Sequence, residues 1–441
     1  MKKKHASFVI YFLRHGVVLG MASLFKKVRD YVGDNSVEVD AAAEEKKLRE
    51  AFPFLLAEGE TLAFAFTGRG GSGRDNEYIT DRRILIRDVK GMTGTSVKYT
   101  SYPLSQINAY AVSTAGGGLD GDSELQVWCS GMPALEIEFA KENVDLFALN
   151  SFLNKKVLPS NNAAGESAAP FSKGPKTDPG ALSSFLNWLG DDAHEVDPLE
   201  LEQRLKTSPP VLEQDERVEL AYKSGRDHMI LSSKRLFLLD KRGFTGKKCV
   251  YLSVLWKCMR AFSVETAGTW DRDYTLKLYT NIDSYTCIVQ DLRSGSTNIL
   301  AVQRFFSDKI LGDDTAPAVG NFDVQRLQGQ ADSGPGFLAW CGDDCRQLDA
   351  AQAEEQFRKS TPVLQGSETV EFAFKGRRDM VLFTNKRLLS VDVKGWTGKK
   401  KNFTSVPWST IKVSELPGYC NETGVKWCRP GRVAHLHLLC P

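Results

Sequence analysis

Basic residues recur at the ends of two predicted hairpin turns, and they are the side chains of this chain best suited to binding an anion. They are Arg83, Arg235 and Arg387 after the turn that follows the second strand of each repeat, and Lys247, Lys248, Lys399, Lys400 and Lys401 after the next turn. Clustered at one loop end, such cations hold inositol phosphates through charge-assisted hydrogen bonds. The competing interpretation is a solvated hairpin end, where lysines discourage pairing of edge strands. Thr95 and Ser96 replace the two lysines in the first copy, so such a site is not common to all copies.

Two glycine-rich stretches match parts of nucleotide-binding motifs without their context. Residues 68–73 fit G-x-G-x-x-G, but a strand rather than a helix follows from Tyr78, so no helix N-terminus is placed to hold a phosphate. Gly246 and Gly398 precede lysines as in a P-loop, yet neither has a glycine five residues earlier. We interpret both stretches as hairpin turns.

No residue pattern predicts catalysis, a metal or a cofactor. Paired carboxylates, metal-spaced histidines and a nucleophile elbow do not recur, and His228 is replaced by Asn76 and Met380 in the other copies. The nine cysteines share no repeat position and form no C-x-x-C pair, which favours reduced thiols in a cytoplasmic protein. The net charge of +2 gives no argument for nucleic acid.

These residues are positioned by a unit that the chain contains three times. Gly91, Gly243 and Gly395 stand in similar turns, with a spacing of 152 residues in both intervals. Apolar alternation predicts about seven antiparallel strands in each of the first two copies. The apolar faces around 146–153 and 299–306 predict a closing helix for each.

A short helical segment is predicted before each set of strands. Asp40, Asp197 and Asp349 stand at its N-cap positions, and Leu48, Leu205 and Phe357 are its predicted core residues. The predicted divisions of the chain are an N-terminal extension (1–21), helical prefaces (22–58, 181–214, 335–366), strand modules (60–158, 216–311 and the partial 368–418), flexible linkers (159–180, 312–334) and a divergent tail (419–441).

The two ends of the chain leave alternatives open. Lys2 to Leu13 is similar to the basic and apolar parts of a signal peptide, but Arg14 interrupts the apolar run, and we favour Met21 as the start. The third copy follows the repeat to Glu415 and then loses it. Either this module is completed from elsewhere, or the sequence is truncated or mis-spliced, which we favour.

Residues 230–238, followed by Gly243-Phe244-Thr245-Gly246, and above all residues 262–271, resemble the bacterial-type pleckstrin homology (PH) domain family. The resemblance implies a mainly β fold with α: two near-orthogonal antiparallel sheets capped by a C-terminal helix. The residues themselves predict a short helical hairpin before each module. It also implies non-catalytic interaction modules with a tendency to form oligomeric rings.

We therefore predict a tandem interaction or scaffold protein whose partner is another protein or a second copy of itself. The alternative is peripheral binding to anionic membrane lipid through the lysine-bearing turns.

Overall fold

A computed structural model describes residues 36–68, 75–90, 96–115, 122–139, 144–159, 197–207, 209–224, 227–242, 248–266, 273–293, 298–312, 346–361, 363–376, 378–394 and 400–411. Within these ranges the strands and helices repeat as the sequence does. No helix in them is long and apolar enough to cross a membrane.

The first module has the seven antiparallel strands and the closing helix that the alternation predicts, and one further short strand precedes them. Its elements are β1 (Ser36–Val39), α1 (Ala41–Ala51), β2 (Leu62–Gly68), β3 (Asn76–Thr80), β4 (Arg83–Lys90), β5 (Ser96–Pro103), β6 (Ile107–Ser113), β7 (Ser123–Cys129), β8 (Leu135–Phe139) and α2 (Leu146–Val157). The short strand β1, which leads into α1, pairs with β2 and, at one residue, with β8.

The second and third modules repeat this order over their described residues. The second contains α3 (Pro198–Thr207), β9 (Val218–Ser224), β10 (Asp227–Ser232), β11 (Arg235–Arg242), β12 (Lys248–Leu255), β13 (Met259–Glu265), β14 (Asp273–Thr280), β15 (Cys287–Arg293) and α4 (Ile299–Leu311). The third contains β16 (Arg346–Leu348), α5 (Ala350–Ser360), β17 (Val370–Lys375), β18 (Met380–Thr384), β19 (Arg387–Lys394) and β20 (Lys400–Pro407).

The last strand of the third module is shorter than the sequence suggests. The sequence pattern predicts a strand over 402–411, but β20 ends at Pro407, and Trp408–Thr410 forms a 3₁₀ turn. Equivalent 3₁₀ turns follow β5 and β12, at Leu104–Gln106 and Trp256–Cys258. The rest of the predicted partial module, residues 412–418, lies outside the described residues.

The predicted aspartates begin the helices that precede the strands. Asp40 accepts a hydrogen bond from the Ala43 backbone N–H, and Asp349 accepts one from that of Gln352. Asp197 accepts from the N–H of Leu199. Each carboxylate satisfies a backbone donor that lacks a partner within its helix. The predicted core residues of these helices, Leu48, Leu205 and Phe357, are buried.

The chain forms two compact units, and the boundary between them lies between Trp256 and Lys257. The first unit holds a sheet of twelve strands in the order β5-β4-β3-β2-β1-β8-β7-β6-β12-β11-β10-β9. The second holds a sheet of eight strands in the order β15-β14-β13-β20-β19-β18-β17-β16. Each unit therefore joins the second half of one module to the first half of the next.

The core of the first unit continues across this junction. One cluster of buried side chains includes Phe64 and Phe152 of the first module together with Leu205 and Phe237 of the second. Since the two modules exclude water from a shared core, their association is a packed interior rather than a flexible tether.

Candidate functional site: the joint between modules

The repeated structural feature with the most specific contacts is the joint between successive modules. At each joint the fifth strand of one module pairs antiparallel with the fourth strand of the next, β6 with β12 and β13 with β20. Ser113 lies opposite Val250 in the first joint, and Glu265 lies opposite Asn402 in the second. Both residues of the second pair stand 152 positions after those of the first, so the two joints have the same register.

A threonine after the fifth strand ends the pairing in both joints. The Thr114 N–H donates to the carbonyl of Cys249 at 2.9 Å, and its hydroxyl accepts from the Cys249 N–H at 2.9 Å. Thr266 makes the same two bonds with Lys401, at 2.7 and 2.8 Å. One side chain thus satisfies a backbone donor where the two strands separate.

A buried arginine lies behind the paired strands of the first joint. Arg235 binds Glu216 with two parallel bonds, Nε to Oε1 and Nη2 to Oε2, each of 3.0 Å. Nη1 donates to the Ser253 hydroxyl at 2.7 Å, and Nη2 donates to the carbonyl of Val211 at 2.6 Å. Both Arg235 and Glu216 have no exposed side-chain surface. A buried carboxylate–guanidinium pair needs this full set of partners, because both charges have left water.

The preceding module completes the coordination of Arg235. Its Nη1 also donates to Oδ1 of Asn154 on α2 at 2.8 Å and to the hydroxyl of Tyr110 on β6 at 2.9 Å. Burial disfavours the charge of Arg235, but its partners, Glu216 first and then Tyr110 and Glu213, together raise the pKa of the guanidinium above its usual value. Arg235 is therefore a charged residue held by two modules at once.

The second joint uses the same arrangement with other side chains. Arg387 binds Glu368 through Nε at 2.8 Å and Nη2 at 3.0 Å, and Nη1 donates to Ser405 at 2.8 Å. Its contact with the preceding module is Ser307 on α4, whose hydroxyl accepts from Nη1 at 3.2 Å. Gln365 adds a bond from Nε2 to Asp308 at 2.8 Å.

The first module has the same arginine without a preceding module among the described residues. Arg83 binds Glu60 through Nε at 2.8 Å and Nη2 at 3.1 Å, and Nη1 donates to Ser101 at 3.0 Å. Burial works against the ionised form of Glu60, but the hydrogen bonds from Arg83, Ala57 and Thr80 and the charge of Arg83 together outweigh it and lower the pKa of the carboxyl. The side chain of Arg83 remains 24% exposed.

The predicted anion-binding residues lie in different environments in the structure. Arg235 and Arg387 are buried against glutamates, so they do not present their charge to a lipid at the surface. Lys247 and Lys399 lie outside the described residues, Lys248 is half-buried and Lys401 is exposed. The burial of Arg235 and Arg387 gives these two residues a structural role, and lipid binding through Arg83 and the lysines stays a prediction.

Lys400 already has an anionic partner. Glu265, at the end of β13, accepts from Lys400 at 2.6 Å and from Lys394 at 2.7 Å. Burial opposes the charge of Glu265, but the hydrogen bonds from the two lysines prevail and lower the pKa of the carboxyl. This charge cluster lies across the second joint, where it links two modules. At the matching position of the first joint Ser113 replaces Glu265.

Sequence reasoning missed the glutamate and serine partners of the arginines, although both recur. Ser101, Ser253 and Ser405 are 152 residues apart, as are Glu216 and Glu368, while Glu60 stands 156 residues before Glu216 and makes the same contact with its arginine. An arginine, a glutamate and a serine that recur together are the signal of a buried ion pair. The residues that the structure describes contain no group of three His, Cys, Asp or Glu side chains arranged for a metal ion.

Comparison with known proteins gives one family match that repeats along the chain. The sequence model of the bacterial PH domain matches residues 32–157, 188–310 and 343–416. The uncharacterized protein YjqA of Bacillus subtilis is 46% identical over 69 residues, which are 16% of this chain and 55% of that protein. The chain thus spans about half the length of this curated relative.

Two solved structures are similar to parts of the chain. A DUF1696 family protein with a pleckstrin-homology domain from Shewanella loihica is 28% identical, covers 29% of this chain and 100% of its own, and has a TM-score of 0.25. A pleckstrin homology domain from Shewanella amazonensis is 40% identical, covers 29% of this chain and 99% of its own, and has a TM-score of 0.23.

Proposed function

Because the chain belongs to the bacterial PH domain family, we propose that it is a non-catalytic tandem PH-like scaffold protein that acts through protein–protein association or oligomer assembly. The observation that carries this proposal is the joint built twice in one register, with a buried arginine shared by two modules each time. A surface that recognises one PH-like module so specifically is a protein-binding surface.

The mode of association supports the same proposal. Adding a strand to the edge of a sheet supplies affinity through backbone hydrogen bonds, while side chains at fixed positions supply specificity. Here the specific contacts are the threonine at the strand end and the polar residue of the closing helix. We place this activity in the cytoplasm, in line with the cysteine usage of the sequence.

The second candidate function is peripheral membrane binding through Lys247, Lys248, Lys399, Lys400 and Lys401. The exposed position of Lys401 favours it. The ion pairs of Lys400 with Glu265 weigh against it, because part of the positive charge is neutralised within the protein.

Mass photometry of the full chain, with and without vesicles of phosphatidylcholine and phosphatidylserine, separates the two functions. The scaffold proposal expects a discrete protein assembly whose mass is unchanged by vesicles. Two results together would instead establish membrane binding. The wild-type protein would be a monomer that moves to the vesicles and is released by salt, and the variant with all five lysines replaced by glutamate would not bind the vesicles.

A further inference from the structure

We infer that the open edge of the first module, defined as strand β5 with Arg83 and Leu55, is a docking surface for a PH-like module of a different protein chain. The docking part of that module is its second half, the fifth strand and the closing helix. This inference rests on the proposed function, because it names the partner of the same kind of surface.

The open edge corresponds to surfaces that the preceding module buries at both joints. Tyr99 of β5 is 36% exposed, whereas Tyr251 and Phe403 at the equivalent positions are 0% and 2% exposed. Phe52 packs edge-on against Tyr99 and is itself exposed, so the apolar surface extends beyond the strand. The first module thus exposes an apolar surface that the next two modules bury.

The arginine region shows the same difference. Leu55, whose carbonyl accepts from Arg83 as that of Val211 accepts from Arg235, is half-buried, whereas Val211 is completely buried. Phe54, the neighbour of Leu55, is 97% exposed. Among the described residues, no closing helix of another module lies against Arg83, although Arg235 and Arg387 each contact one.

The backbone of β5 is oriented for the same pairing. Cys249 and Lys401 direct their N–H and C=O groups toward the preceding module, where the threonine binds them. The residue at this repeat position in β5 is Val97. Since alternate residues of an antiparallel strand direct these groups to the same side, Val97, Tyr99 and Ser101 present theirs away from β4. No described strand pairs with that side of β5.

The two joints also define the chemistry of the partner. Its fifth strand ends in a threonine, as Thr114 and Thr266 do, and its closing helix carries a small polar residue such as Asn154 or Ser307. In the shared register the residue equivalent to Glu265 lies opposite Lys98, which gives an ion pair to a partner with an acidic residue there.

The occupant is a different chain, because the fifth strands of the first two modules of this chain are already paired and the third copy differs from them in sequence. β6 is paired with β12, and β13 is paired with β20. The third copy carries Gly418 where the other two carry Thr114 and Thr266, so it lacks the hydroxyl that ends both joints.

Hydrogen exchange of the full chain tests this inference with a synthetic peptide as the probe. The peptide copies residues 259–266, the fifth strand of the second module with its terminal threonine. In the free chain, the outward amides of 96–103 should exchange about 100-fold faster than those of 248–255, because only the latter strand is paired on both sides. The peptide at up to about 1 mM should slow the exchange of 96–103 about tenfold.

Two variants of one residue provide the matched control. Tyr99→Pro removes an outward N–H and leaves the bonds to β4, so it should abolish protection by the peptide. Tyr99→Ala keeps the N–H and should retain most of the protection, because the peptide lacks the closing helix, against which the equivalent Tyr251 ring packs through Phe147. Unchanged exchange of 83–90 in both variants shows that the strand beneath remains folded.

Each other result contradicts the inference in a different way. Protection of 96–103 at every protein concentration without peptide means that the chain's own residues cover the edge. Protection that grows with protein concentration means that a second copy is the occupant, which would leave the proposed scaffold function intact. Fast exchange that the peptide does not slow means that the edge does not bind a fifth strand.

Discussion

Asn154 and Arg235 belong to different modules and bind each other directly, with the guanidinium Nη1 donating to the amide Oδ1 at 2.8 Å. The Asn154 amide nitrogen in turn donates to the carbonyl of Val211 at 3.0 Å, so this one side chain satisfies both a buried charge and a buried backbone group. Because burial of Arg235 depends on the module before it, the stability of the second module's first half is linked to the joint.

Replacing Arg235 by methionine should destabilise the first unit by about 3–5 kcal/mol, because Glu216 would keep a buried and unpaired charge. The measurement is urea unfolding followed by hydrogen exchange in 227–242. Arg83→Met is the matched control and should cost less, since Glu60 there lies beside a partly exposed arginine. Equal losses in the two variants would contradict the role of the joint. The double variant Arg235→Met/Glu216→Leu should recover much of the loss.

Tyr251→Ala should cost the first unit about 3–5 kcal/mol, as expected for removing a buried aromatic ring. The ring of Tyr251 packs against Phe147 of the first module and Phe237 of its own. Tyr99→Ala removes the same side chain at the equivalent position of the first module and should cost less than about 1 kcal/mol. Urea midpoints of the two variants provide the comparison, and similar midpoints would mean that Tyr251 is not held by the joint.

The fold was predictable because its signals are local. Alternation over five to eight residues defines the strands, and the helix starts at Asp40 and Asp349 are set by a hydrogen bond to a residue three positions on. The joint was not predictable, since Arg235 meets Glu216 across 19 residues and Asn154 across 81. A recurring arginine in a turn therefore resembled a surface cation, and only its recurring glutamate and serine partners indicated burial.

Glu77 should make the first unit less stable as the pH rises through 7. Burial raises the pKa of this carboxyl to about 7. The Ser36 hydroxyl, which donates to it at 2.9 Å, lowers the pKa, and the nearby charge of Asp75 raises it. Its usual pKa is 4.5, so between about 4.5 and 7 the folded state binds more protons than the unfolded state. The stabilisation is complete below the lower value and is lost as the pH rises through the upper one.

Glu77→Gln should remove this dependence. Between pH 5 and pH 8 the urea midpoint of the first unit should fall further in the wild-type protein than in the variant. Equal changes would show that Glu77 ionises in the fold as it does in the unfolded chain.

Glu265→Gln should weaken the second joint, because Lys394 and Lys400 would lose their shared carboxylate. The expected cost is about 1 kcal/mol at low salt, and it should disappear near 1 M salt, where the charges are screened.

The lysines lower the pKa of Glu265 against the effect of burial. Its contribution is therefore present above the unfolded pKa of about 4.5 and is lost as the pH falls through the folded value, a loss that Gln cannot show. Ser113→Ala at the equivalent position of the first joint is the control; it removes no charge, so its effect on stability should not depend on salt. Hydrogen exchange of 400–407 measures the second joint and that of 248–255 the first. A salt-independent loss in Glu265→Gln would assign Glu265 a packing role rather than an electrostatic one.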